Sequence, residues 1–137
     1  ARIVAMVSVS SNAQSATAGA RKLLEENPQI NLLVGFNEWS TLGVGMAIKE
    51  LGLKDRVCAI GFDNNTECVG MLETGELDTL IVQNPFSMGY LAVMNAANIL
   101  SGKKTESVIK TDVYGVDRSN MFSADVQKIL FGFDKYD

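Results

Sequence analysis

The chain has 137 residues, 47% hydrophobic and 20% charged, which is enough for one ordinary globular core and too few for two complete domains. Its 12 Lys and Arg are scattered without a basic run and its net charge is -4, which argues against nucleic acid or an anionic membrane surface as partner. Histidine is absent, removing Ser-His and Cys-His catalytic pairs and the commonest zinc ligand.

No stretch approaches ~18 consecutive apolar residues, and no signal-like charged and apolar regions open the chain. It begins instead on an apolar run, RIVAMVSV, which predicts a strand over 3–9. A polar turn leads to a helix over 13–26, with Ala13, Ala16, Ala20, Leu23 and Leu24 on one face and Asn27-Pro28 as its stop. A strand over 31–36 comes next. Val44, Ala47, Ile48 and Leu51 then fall at helical spacing, closed by Gly52.

The third strand, 57–62, runs into Asp63-Asn64-Asn65-Thr66, which supplies N-cap candidates for a short helix ending near Thr74-Gly75. A fourth strand covers 79–82. After Gln83-Asn84-Pro85 the longest helical pattern carries Phe86, Gly89, Tyr90, Val93, Ala97 and Leu100 on one stripe, with Ser101-Gly102 as the stop. A strand-like segment over 108–116 precedes a polar turn and a tail with Ile129, Leu130, Phe131 and Phe133. Strands alternating with helices of this length mean βαβ crossovers, so the expected class is α/β with a doubly wound parallel sheet. Cys58 and Cys68 are expected as two buried free thiols.

Four apolar runs end abruptly on polar groups: AMVSVSSN, LLVGFNE, VCAIGFDNN and TLIVQNP. In open α/β sheets ligands sit beyond the carboxyl ends of the strands, so Ser10, Ser11, Asn12, Asn37, Glu38, Asp63, Asn64, Gln83 and Asn84 are expected on one rim. Asp63 follows Gly61 and has two roles open to it: accepting two hydroxyl protons from a ligand, or capping the next helix. The other polar strand ends favour ligand contact. Asn37 and Gln83 offer a donor and an acceptor each, which suits a polyol or the backbone of their own loops. Trp39 is either a flat wall for a ring or core.

Catalysis has little support. Asp63 and Glu38 are the only carboxylates placed to act as a glycosidase pair, and both have simpler roles as hydroxyl acceptor and helix-start anion. Gly43-Val44-Gly45 sits inside a helical pattern and lacks a third glycine, so it is no dinucleotide fingerprint. Oxygen ligands are not clustered at a metal-loop spacing, and neither metal nor cofactor is expected.

Taken in order, ENPQINLLVGFNE, STLGVGMAIKELG, VCAIGFDNN, GELDTLIVQNPFSMGYLAV, TDVYGVDRSN and VQKILFGFDK resemble the C-terminal half of the type 1 periplasmic sugar-binding proteins, the ribose-binding class that serves ABC importers. The resemblance covers nearly the whole chain as a single lobe, 1–137. It implies a small sugar as ligand, Asn37, Asp63 and Gln83 as hydrogen-bonding residues, an ABC permease as partner of a two-lobed parent, and a periplasmic or extracellular setting, with a membrane-anchored lipoprotein as one form of it. Many relatives carry an aromatic ring in the loop where this chain has Ser10-Ser11-Asn12, leaving stacking to Trp39 or to the other lobe and making Ser11 a polar contact.

The same resemblance implies that the helical region 84–108 crosses to the other lobe. In a chain of this length that helix folds back, exposes its stripe, or buries it against a second copy, and a homodimer or a proteolytic remnant is the expectation. Two other functions compete with sugar transport. One is the effector-binding half of a LacI-type regulator or sensor; regulators commonly have TTV and QP where this chain has DTLIVQNP, which favours transport. The other, a flavodoxin-like enzyme or receiver domain, needs a phosphate loop or an acidic pocket with a lysine, and neither is visible.

Overall fold

The computed structural model describes residues 2–131. In chain order they form α1 (Ala13–Glu26), β1 (Leu32–Val34), α2 (Glu38–Leu51), β2 (Cys58–Phe62), α3 (Thr66–Thr74), β3 (Thr79–Gln83), α4 (Pro85–Leu100), β4 (Val113–Asp117) and α5 (Ala124–Phe131). The sheet order is β1-β2-β3-β4. β2 pairs in parallel with both β1 and β3, placing Leu33 opposite Ala59 and Gly61 opposite Leu80. The class is α/β, as the alternation of periods predicts.

One residue type starts four of the helices. Asn12, Asn37, Asn65 and Asn84 are the N-caps of α1, α2, α3 and α4, and their side chains accept from the backbone N–H of Ser15, Ser40, Cys68 and Ser87 respectively. Each cap satisfies one of the amides that a helix start leaves without an intrahelical partner. At the other end, Gly52 and Gly75 adopt left-handed backbone at φ 64° and 91°, stopping α2 and α3.

Two compact units result: residues up to Val82 together with those from Gly115 onward, and Gln83–Tyr114. In the first, the core lies where α2 packs on one sheet face, with α1 and α3 against α2. Leu33, Ala59, Leu80 and Val82 point into it and are buried, as are Ile48, Leu72 and Leu77. Close approach needs small residues. A Cβ on Gly43 of α2 would come within 2.4 Å of the Ala16 Cβ of α1, and one on Gly61 of β2 within 2.1 Å of the Thr41 side chain. Gly43 is therefore a helix-packing residue, and the neighbour that Gly61 admits is Thr41 rather than a ligand.

Among the described residues the opposite sheet face is open. Leu32, Val34, Cys58, Ile60, Phe62, Thr79 and Ile81 share it by register, and each is exposed or half-buried. Phe36, just past β1, is 76% exposed, with its ring centroid 6.1 Å from that of Phe62. This corrects one cysteine assignment. Cys68 is buried and Cys58 exposed, because Cys58 stands opposite Leu32 on the uncovered face; both are free.

Two strand expectations also fail. Residues 3–9 are mostly exposed and join no ladder among the described residues, so an apolar β-branched run without a pairing neighbour stays irregular. Of 108–116, only Val113 onward is strand. The expected tail forms α5, and Phe133 lies outside the described residues.

The second unit is α4 and the irregular segment that follows. None of the α4 side chains is buried, and Tyr90, Val93 and Leu100 stand open to solvent.

Candidate functional site

At the carboxyl ends of β1 and β2, the loops into α2 and α3 meet. Asn37 and Glu38 come from the first, Asp63, Asn64 and Asn65 from the second. The meeting point is fixed from below by Thr41, a fully buried residue of α2. Its hydroxyl accepts from Phe62 N–H at 2.7 Å and donates to the Phe62 carbonyl at 3.0 Å. Helix α2 is thereby tied to the residue immediately before Asp63.

Asp63 is the one non-glycine residue with left-handed backbone among the described residues, at φ 69°. That conformation is uncommon outside glycine and costs free energy unless the surroundings hold it. Here they do. Asp63 N–H donates to the Ile81 carbonyl at 3.0 Å, continuing the ladder to β3, while its Oδ2 accepts from Glu38 N–H at 3.1 Å. The carboxylate thus sits at the positive N-terminal end of α2, where negative charge is favoured. Capping the next helix falls to Asn65, so the helix-cap role open to Asp63 is filled by a neighbour. Oδ1 of Asp63 makes no hydrogen bond among the described residues.

The next two side chains hold the loop in place. Asn64 Nδ2 donates to the carbonyls of Ile129 and Leu130 in α5, at 3.3 and 2.6 Å. Asn65 Oδ1 accepts from Cys68 N–H at 2.7 Å, and its Nδ2 donates to Glu38 Oε1 at 3.1 Å. Three consecutive side chains therefore tie the loop to α2, α5 and α3 in turn. Beneath it, burial, then the carboxylates of Glu38, Glu67 and Asp63, push the Cys68 thiol up to about 12, which keeps it protonated and unreactive at neutral pH.

Asn37 lies beside this carboxylate and is already half used. Its Oδ1 accepts from Ser40 N–H at 2.9 Å and from the Ser40 hydroxyl at 2.9 Å, and that hydroxyl accepts from Asn37 N–H at 3.0 Å, a capping box. Its Nδ2 is left as a donor. Trp39, in the first turn of α2, is 40% exposed, so it is a surface ring rather than core. Gln83 is the exposed last residue of β3 and opens the second unit. Ser11 sits in the exposed bend ahead of α1, and no hydrogen bond joins it to Asn37 or Asp63. Asn12 and Asn84, expected on the rim, are caps. Asn65, expected only as a cap candidate, joins Asp63 in linking the two loops, and a separation of 27 positions from Glu38 hides that pairing from any local pattern.

Chemically, the two loops carry a carboxylate oxygen on Asp63 and an amide donor on Asn37 at the carboxyl ends of neighbouring strands. Hydroxyl groups pair with both.

The family model for the periplasmic binding protein domain matches residues 2–104. The chain belongs to that family. Among curated proteins it is 34% identical over 87 residues to the ribose import binding protein RbsB of Bacillus subtilis, an alignment covering 64% of this chain and 28% of the relative. Among solved structures it is similar to a carbohydrate transporter solute binding protein from Agrobacterium radiobacter in complex with D-arabinose, with a TM-score of 0.86, 30% identity, and 94% of this chain and 44% of that one covered. An ABC transporter solute binding protein from Agrobacterium vitis with bound D-fucose gives a TM-score of 0.85 at 29% identity, with 95% and 45% covered. The chain thus spans under half the length of these proteins.

Proposed function

We propose that the chain is the sugar-binding C-terminal part of a two-lobed solute-binding protein, which holds a small neutral sugar without transforming it and hands it to an ABC permease outside the cytoplasm. The observation that carries this is Asp63. Its strained backbone, one oxygen fixed by the Glu38 amide and the other uncommitted, describes an acceptor set in place before a ligand arrives. Asn37 supplies a donor beside it and Gln83 a further amide, while Trp39 offers a ring face and Ser11 a hydroxyl. Ribose, arabinose and fucose in the names of the similar proteins support the ligand class. Their importer names favour transport over the regulator reading.

In this proposal the segment 84–108 reaches the other lobe, and the exposed stripe of α4 is its docking face. The test is calorimetric titration of D-ribose, D-allose, D-arabinose and D-fucose into the two-lobed parent and its Asp63→Ala variant. Micromolar or tighter binding of one sugar, lost in the variant, is the expected outcome. Equal binding by both removes Asp63 from the site, and no binding to the parent overturns the sugar reading.

A further inference from the structure

The Asp63 carboxylate receives its only side-chain hydrogen bond among the described residues from a backbone amide, that of Glu38. That amide is the first of α2, so its position depends on how the start of α2 is held against the β2–α3 loop. One side-chain pair joins Glu38 to that loop: Asn65 Nδ2 donating to Glu38 Oε1 at 3.1 Å. Asn65 is itself anchored by its other atom, Oδ1, to Cys68 N–H. A rigid path therefore runs from the start of α3, through the Asn65 amide and the Glu38 side chain, to the amide that aims Asp63.

We infer that Glu38 and Asn65 are positioning residues for the ligand acceptor Asp63, their hydrogen bond setting the carboxylate in its binding orientation. This rests on the reading of Asp63 as a sugar contact. The geometry allows the bond to be broken without losing the cap. Asn65→Asp keeps an Oδ acceptor for Cys68 N–H, since Asp and Asn cap helices about equally well, yet it sets a carboxylate against that of Glu38. Glu38→Gln in that background restores the bond with donor and acceptor exchanged, the new amide Nε2 donating to the carboxylate introduced on the α3 cap. Glu38→Ala in the same background removes the repelling charge and restores nothing.

The experiment is calorimetry of the two-lobed parent with the four sugars named above, alongside thermal melts and hydrogen exchange of the Glu38 amide. The expected result is about a tenfold loss of affinity for Asn65→Asp. The Glu38→Gln pair should return to near wild type and the Glu38→Ala pair should not, with melting temperatures held. Protection of the backbone amide at position 38 should fall and recover in the same order. Unchanged affinity in Asn65→Asp, or equal rescue by Ala and Gln, overturns the positioning role. If the parent binds none of the sugars, the sugar reading fails, and the exchange pattern alone then decides whether the bond sets the Glu38 amide.

Discussion

Thr41 and Phe62 are joined by two hydrogen bonds through a single hydroxyl, which accepts from the Phe62 amide at 2.7 Å and donates to its carbonyl at 3.0 Å. A buried hydroxyl from a helix thus replaces the ladder partners that a strand end lacks, one residue before the acceptor of the site. Thr41→Val keeps the shape and strands both backbone groups, a loss of about 1–3 kcal/mol. Urea titration should show it, with Thr41→Ser far closer to wild type.

Asp63 separates stability from binding. Asp63→Gly relieves the left-handed strain at φ 69°, which offsets the loss of the Glu38 amide's acceptor, so stability should change little while sugar affinity of the parent falls at least about tenfold. Melting temperature and calorimetry on the same sample check both halves. A parallel fall in each would mean that the carboxylate serves the fold.

Gly43 should not tolerate even a methyl group. Its missing Cβ would lie 2.4 Å from that of Ala16 on α1. Gly43→Ala should cost about 1–3 kcal/mol by overpacking, whereas Gly70→Ala on α3, with nothing near its missing Cβ, should be neutral or stabilising. Chemical denaturation of the two variants gives the comparison.

Cys68 predicts an alkaline limit. Its thiol ionises near 9.0 when free and is raised to about 12 in the fold. Below pH 9 both states keep the proton and stability is unaffected. Between about 9 and 12 the unfolded chain releases a proton that the folded chain retains, so stability falls as pH rises. Denaturation curves across that range should show the loss, and Cys68→Ala should flatten it. With a thiol reagent near neutral pH, exposed Cys58 should be modified first and Cys68 only on unfolding.

The stripe of α4 should matter in one context only. Val93 is 70% exposed. Val93→Asp should leave the stability of this 137-residue chain unchanged and lower that of the two-lobed parent, as differential calorimetry of both would report.

Much of this architecture is legible before any coordinates. Helix α1 stops at Asn27-Pro28 and α2 at Gly52, because such stop signals are local and leave their mark in adjacent residues, whereas the cap at Asn12 reads in the sequence as a rim group. What lies across the fold is not. The run 3–9 has strand composition, yet a strand is made by its neighbours, and composition does not say whether one is present. Cys58 looks like core because the alternation of β2 does not reveal that one sheet face lacks a cover. Asp63 stands out as a strand-end carboxylate, but its left-handed backbone is invisible in a sequence where glycine is the usual signal. Asn37 reads equally well as ligand group or as partner of its own loop backbone, and the structure makes it a helix cap with one donor to spare.

The uncovered face carrying Leu32, Phe36 and Cys58 also bears on handling. A flat greasy plane bordered by a three-residue outer strand is an invitation to sticking, so the chain purified alone should bind hydrophobic dyes and clump on concentration. Leu32→Lys, at the far end of β1 from Asn37 and Asp63, would make it behave in solution, and would make it the form of choice for crystallisation trials.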